Sequence, residues 1–476
     1  MLRIMLRIIA ALAVICISTI ARSEQPNVLW IYVDDMSNWL QCNGDPIAIT
    51  PNIDRLANEG VRFQNAFVPS PVCSTTRSAI VTGTMQTTHG LHQHRTMIKK
   101  PLPDSLLTVP ELFRKAGYLT FNESKDDYNF LRSRDQMYSA DFKRTGFKSH
   151  CKGRDFSWLE QLRGKKFFGQ IQLAGGKFGG ETGNKYPAES RFDPTSMIVP
   201  PQYPDHPVTR NAIARHYEQI VETDEQVGAI VTAMKEHGLW NNTVVFFFTD
   251  HGSPLPRSKQ FLYEEGLNVP LIVRFPEKHK PAVDTVGTRV DLVNCIDLAA
   301  TSLGLADISV PSTMESQDLF ADDYQPQPYV IGARDRLGIA VDRIRSVRTK
   351  RFRYLRNFKT DRALYQPQYR QNYATFKTFR ALNQSGKLTP LQASYHDPAN
   401  RVGEELYDVD ADPHQIKNLA FDPSFAEELK RHREILNRWI ERTDDKGQYP
   451  ESKESLIAVY DRAKGKVFAP EYDFLK

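Results

Sequence analysis

Several short runs of consecutive apolar residues punctuate the chain, and two of them stop abruptly on acids. Asn27-Val28-Leu29-Trp30-Ile31-Tyr32-Val33 ends at Asp34-Asp35, and Thr243-Val244-Val245-Phe246-Phe247-Phe248 ends at Thr249-Asp250-His251-Gly252. Uninterrupted β-branched and aromatic residues over such lengths predict strands buried on both faces, as in a parallel sheet. Between them the spacing becomes helical. Thr50-Pro51-Asn52-Ile53-Asp54 predicts a helix start with Ile53, Leu56 and Ala57 on one face and a stop at Gly60, and Val109 to Ala116 predicts a second helix closed by Gly117. Ile213, Tyr217, Ile220, Val227, Ile230, Val231 and Met234 recur at helical intervals between about Arg210 and His237. Alternating strand and helix predicts an α/β sandwich with a largely parallel sheet over residues 24–328. From about Tyr329 the character changes. Basic, aromatic-rich segments such as Ile344 to Leu355 alternate with turns, and Leu406-Tyr407-Asp408-Val409 precedes a helix near Ser424 to Thr443. A smaller α+β subdomain is expected over residues 329–476.

The start of the chain follows other rules. Arg3 and Arg7 precede an apolar run from Ile8 to Ile20, and Ala21-Arg22-Ser23 offers small residues for cleavage, which together predict a signal peptide over residues 1–23. The run falls short of the ~20 residues a spanning helix needs, and Ile15 before Cys16 does not fit a lipoprotein cleavage box. An exported protein without a stable membrane span is expected, an uncleaved anchor being the alternative. With 476 residues, 40% hydrophobic and 25% charged, the chain can bury a large core. A net charge of +5 gives no argument for nucleic acid and is compatible with an anionic substrate. Cleavage would leave Cys42, Cys73, Cys151 and Cys295, an even count that suggests two disulfides, or at most one bridge where Cys73 is used in chemistry.

In parallel sheets ligands bind beyond the carboxyl ends of strands, so the two acidic ends are expected to face one crevice. Charge there is costly unless paired or bound to metal, and hard oxygen donors suit calcium, with magnesium second. His251 adds a nitrogen ligand less typical of calcium. An ordinary Asp-rich turn is the alternative for Asp34-Asp35 alone. Pro69-Ser70-Pro71-Val72-Cys73-Ser74-Thr75-Thr76-Arg77 places a cysteine near an expected helix start with an arginine one turn on. By spacing alone, a plain buried cysteine is the reading to prefer.

Four segments in order, the strand with Asp34-Asp35, Thr50 to Ala57, Cys73 to Gly83, and Thr249 to Gly252 followed by Lys259 and Val269 to Val273, resemble the signatures of the type I, formylglycine-dependent sulfatases. Leu406-Tyr407-Asp408 and Asp412-Pro413 through Asn418-Leu419-Ala420 resemble that family's C-terminal subdomain, and Asp250 to Pro256 is similar to its N-sulfoglucosamine sulfohydrolase branch. The resemblance implies an alkaline-phosphatase-like sandwich that hydrolyses a sulfate ester or sulfamate on a sulfated carbohydrate. It implies formylglycine made from Cys73 by a maturing enzyme, and one calcium ion held by Asp34, Asp35, Cys73, Asp250 and His251. Arg77, Lys125 and Lys259 match the cations that hold the sulfate. A hydrated aldehyde has two hydroxyls on one carbon: one attacks sulfur, and deprotonation of the other expels sulfate.

The sequence departs from the family in three places. Thr75 stands where the family has proline or alanine, Asp127 where it has a histidine after the catalytic lysine, and Lys177 in a glycine-rich loop where it has a second substrate histidine. His89, His92 and His94 follow Cys73, and His92 and His94, with Asp127 and Lys177, are candidate substrate-binding groups. His206 is read as a loop residue. The basic residues from Arg334 to Arg356 are read either as steering a polyanionic glycan or as a solvated strand face. Two further readings stay open: a metal-dependent phosphatase or phosphodiesterase of the same superfamily, and a non-catalytic glycan-binding homologue.

Overall fold

The computed structural model describes residues 25–140, 142, 155–177, 190–283 and 285–475, so the expected signal peptide and Cys151 lie outside the described residues. Seven strands form the main sheet: β1 (Asn27–Val33), β2 (Gly60–Phe67), β3 (Leu119–Asn122), β4 (Phe167–Leu173), β5 (Thr243–Thr249), β6 (Leu271–Arg274) and β7 (Gly287–Asn294). Their order is β3-β4-β1-β5-β6-β2-β7. The β3–β4, β4–β1, β1–β5 and β2–β7 pairs are parallel, and β6 runs antiparallel to both β5 and β2. The sheet is therefore mixed, with one strand reversed. A parallel return needs a crossover along the sheet face. The segment from Asp250 to Pro270 instead stays at the end where β5 finishes, so β6 sets out from that end in the opposite direction.

Alternation along β1 divides the core in two. Val28, Trp30 and Tyr32 face one cluster with residues of α2 (Cys73–Thr82), α3 (Val109–Lys115) and α5 (Asp297–Gly304). Leu29, Ile31 and Val33 face the other with α1 (Pro51–Asn58) and α4 (Pro207–Glu236). Both faces of β1 are covered, which is why its sequence reads as one apolar run. Gly60 opens β2 rather than merely ending α1, because a Cβ there would lie 2.4 Å from Val273 O.

A second, antiparallel sheet joins β8 (Val330–Arg334), β9 (Ile344–Arg348), β10 (Phe352–Asn357) and β11 (Glu404–Asp408) in that order. α6 (Ala426–Thr443) covers it through Leu429, Ile435, Leu436 and Trp439, and Ala79 of α2 joins the same cluster. α2 is thus held between two layers, and all ten of its residues are buried.

Most of the basic stretch is neither a glycan-steering surface nor a solvated face, although Lys350 and Arg351 are exposed. Arg334, Arg336, Arg345, Arg348 and Arg353 are buried. Arg345 pairs with Asp335 and Asp445, Arg348 and Arg353 with Glu264, Arg336 with Glu451, and Arg334 with Asp342. Cys42, Cys73 and Cys295 are free thiols. Among the described residues no helix is long and apolar enough to cross a membrane.

Asp297 opens α5 in full burial, accepting from Gln317 N at 2.9 Å and Gln327 Nε2 at 3.2 Å. Burial outweighs these hydrogen bonds and holds its carboxyl at about 7. The folded state therefore keeps a proton that the unfolded chain sheds near pH 4, and stability falls as pH rises from about 4 to about 7. Asp297→Asn removes this penalty. Its stability relative to wild type should improve by on the order of 3–4 kcal/mol between pH 4 and pH 8, read from urea unfolding at both pH values.

Candidate active site

Val33 pairs with Leu173 on one side and Thr249 on the other, so β1, β4 and β5 finish level. The residues that follow each strand therefore meet. Asp35 N donates to Asp250 Oδ1 at 3.0 Å, and His251 Nε2 lies 3.2 Å from Asp35 Oδ1 and 3.5 Å from Asp250 Oδ1. After β4 the chain must press close to the two aspartates. A Cβ at Gly175 would lie 2.1 Å from Asp34 O, and one at Gly176 would lie 2.0 Å from Asp35 O. Only glycine allows this approach, and the approach delivers Lys177, whose Nζ is 2.7 Å from Asp34 Oδ2 and 3.4 Å from Asp35 Oδ1.

Cys73 is the first residue of α2, after an extended Val72. The helix tolerates its many hydroxyl residues in burial because Ser78 and Thr82 donate to the carbonyls of Ser74 and Ser78. Thr75 Oγ1 donates to Ser70 Oγ at 2.7 Å. One turn on, Arg77 Nε donates to Asp250 Oδ2 at 3.0 Å and Nη1 to Gln172 Oε1 at 2.7 Å, while the guanidinium lies 4.1 Å over the Tyr32 ring. Lys125 Nζ is 2.5 Å from Asp34 Oδ2 and 3.5 Å from Asp127 Oδ2. Lys259 Nζ contacts both Asp35 oxygens at 2.7 and 2.5 Å.

Fixed cations decide the charge states. Burial opposes ionisation of Asp34, yet Lys125 and Lys177 outweigh it and hold the carboxyl at about 2. Burial likewise opposes the Cys73 thiolate, and Lys125, Lys177 and Lys259 together bring the thiol well below its usual range. Burial and Asp34 push Asp250 up to about 6 against His251, Arg77 and Lys125.

A ligand atom from each of Asp34, Cys73, Asp250 and His251 lies within 4.8 Å of the others. Four of the five expected metal ligands thus converge. Asp35 stands beside them, engaged by Lys259 and His251. The fit to a cation rests on Asp34 Oδ1, a buried carboxylate oxygen of this group that makes no hydrogen bond, with His251 Nε2 3.2 Å from Asp35 Oδ1 beside it. Two carboxylates and an imidazole suit a divalent ion better than they suit each other.

The candidate histidines divide. His94 is buried with Nε2 3.8 Å from Cys73 Sγ, its ring stacked on Tyr369 at 5.5 Å between centroids. His92 is buried among the charges of Asp335, Arg345, Asp445 and Glu451. His89 is half-buried, and the ring of His206 caps α4 through Val208 N. Asp127 accepts from Arg95. Arg95, Gln172 and Tyr369 are neighbours the sequence did not single out. Only Arg95, beside the histidines after Cys73, carried any local signal.

The profile described as Sulfatase matches residues 26–308, and that described as N-sulphoglucosamine sulphohydrolase, C-terminal, matches residues 257–372. The chain is 31% identical over 467 residues to an ulvan-active sulfatase of Formosa agariphila, covering 90% of this chain and 77% of the relative. It is 26% identical over 487 residues to human N-sulphoglucosamine sulphohydrolase, covering 92% and 94%. Among solved structures, one in complex with its substrate D-glucosamine-2-N,6-O-disulfate superimposes with a TM-score of 0.61 at 18% identity, over 89% of this chain and 99% of that one.

Proposed function

Because this chain belongs to the sulfatase family, we propose that it hydrolyses the sulfate ester or sulfamate of a sulfated sugar within a glycosaminoglycan or related polysaccharide. In this reading residue 73 acts as formylglycine and one calcium ion is held by Asp34, Asp35, Asp250 and His251. The observation that carries it is the convergence of Asp34, Cys73, Asp250 and His251 beneath Arg77, Lys125 and Lys259. Asp34, Asp35 and Asp250 face four cations once Lys177 is counted. With a divalent ion added, the site carries a positive excess that suits an arriving sulfate.

The Cys73 thiolate marks where the hydroxyls of the oxidised residue would stand. When bound, calcium supplies a Lewis acid that polarises the sulfate and favours ionisation of the nucleophile. The remaining work falls to the chain. Arg77 is locked by Asp250, Gln172 and Tyr32, so its charge is in place before sulfate arrives. Lys125 and Lys259 can exchange carboxylate partners for sulfate oxygens. Burial holds the His94 imidazole below its usual range, hence neutral at pH 7, against the opposing effect of Cys73. It is the group placed to accept a proton from residue 73. The apolar run behind Arg3 and Arg7 supports export to a compartment where such a polysaccharide is met.

Protein from its native host should release sulfate, and not phosphate, from matched aryl esters, and the Cys73 peptide should show the mass of the aldehyde. Calcium should raise the melting temperature, and Asp34→Asn should abolish that increase. An unmodified thiol in active protein, or melting indifferent to calcium, would count against the reading.

A further inference from the structure

Two side chains at the mouth of the site adopt a backbone shape that residues with a Cβ avoid. Arg95 has φ 52° and Asp127 φ 54°, and such strain is kept where something else depends on it. These two residues meet each other. Arg95 Nε lies 3.3 Å from Asp127 Oδ1 and Nη2 lies 3.3 Å from Asp127 Oδ2, while Ser74 Oγ holds the Arg95 N–H at 3.0 Å. Nη2 is also 3.8 Å from Cys73 Sγ. Unlike buried Arg77 and Lys259, the Arg95 side chain is 42% exposed. Beside it stands Tyr369, from the segment between β10 and β11, with one face on His94 and 39% of the residue exposed.

Arg95 is held by Asp127, which also stands 3.5 Å from Lys125 Nζ, so a second anion reaching Arg95 would face the Asp127 carboxylate. Arg95 and Asp127 present N–H donors beside carboxylate acceptors. A hydroxyl, which both donates and accepts, satisfies both. An exposed aromatic ring next to such a pair suits the C–H face of a sugar. We propose that Arg95, Asp127 and Tyr369 form a subsite that reads a free hydroxyl on the carbon next to the sulfated one of a pyranose, with Tyr369 packed against the ring. This rests on the sulfated-sugar reading above. It also gives a reason for an aspartate where the family has a histidine: Asp127 is the partner that holds Arg95 beside the nucleophile.

Binding can be read apart from turnover in a Cys73→Ala background, by calorimetry with a panel of monosulfated pyranoses. The tightest binder is then compared with its deoxy counterparts at each carbon next to the sulfated one. One deoxy sugar should bind ~30–100-fold more weakly. Asp127→Asn and Arg95→Ala should each bring that pair within ~3-fold, and Tyr369→Ala should weaken both sugars alike by ~10-fold. No binding, equal binding of all deoxy counterparts, or a preference that survives Asp127→Asn and Arg95→Ala would overturn the subsite. Failure of the wild-type protein to release sulfate would instead strike the proposed function, leaving this binding comparison decisive in either direction.

Discussion

Cys73→Ala should lower sulfate release by at least ~10³-fold, with the fold retained. The side chain is fully buried at the first position of α2, and alanine removes one sulfur atom from a site whose other groups are fixed by one another. Cys73→Ser separates the proposed aldehyde from an ordinary nucleophile more sharply. A serine hydroxyl standing where the sulfur stands can accept sulfate, yet it has no second oxygen on the same carbon to expel it. The serine variant should therefore release about one equivalent of alcohol per enzyme and then stall, with a sulfate group added to the peptide containing residue 73. Rapid-quench measurement of alcohol release and intact mass report both events. Sustained turnover by the serine or alanine variant would show that residue 73 is not the group that becomes sulfated.

What could be read in the sequence follows from how local each cause is. Asn27 to Val33 and Thr243 to Phe248 announced themselves because strands covered on both faces need apolar residues at every position. The acids just past them were legible as a site because strand ends in one sheet share an edge, and the level endings of β1, β4 and β5 deliver them there. The reversed β6 was not legible, since its direction depends on the path of the preceding loop and not on its composition. The arginines of β8 to β10 misled for a similar reason. Asp335 and Asp342 lie within the stretch, but the further partners Glu264, Asp445 and Glu451 come from distant segments, and a basic stretch with most of its counter-charges elsewhere looks solvent-facing when read alone. Lys177 was read as a departure from the family and a candidate substrate-binding group, whereas the glycines before it carry the physical cue, a close backbone approach to Asp34 and Asp35. Tyr369 gave no cue at all, because only the packing of the second sheet brings it to His94.

Arg77→Ala should destabilise the protein as well as silence it. The guanidinium lies 3.0 Å from Asp250 Oδ2 and 4.0 Å from Asp34 Oδ2 in full burial. Its removal strands Asp250, a carboxylate already pushed up to about 6 by burial and Asp34. Leaving a buried charge without its partner costs ~3–5 kcal/mol, and losing a fixed cation from the sulfate site should cost ~10³-fold in kcat/KM. Lysine carries the charge but cannot reach Asp250 and Gln172 together, so Arg77→Lys should recover part of the stability and little of the rate. The pH dependence has a definite sign. Without Arg77 the Asp250 carboxyl titrates higher still, so the folded state holds a proton the unfolded chain has lost, and the penalty grows as pH rises. In calcium-free protein the gap between Arg77→Ala and wild type should be wider at pH 8 than at pH 5, measured by urea unfolding. Adding Asp250→Asn to Arg77→Ala removes the stranded charge, so the double variant should be more stable than the sum of the two single losses predicts. Strict additivity would mean that the arginine contributes by filling space, and that the charge of Asp250 is met by its other neighbours, Lys125 and His251.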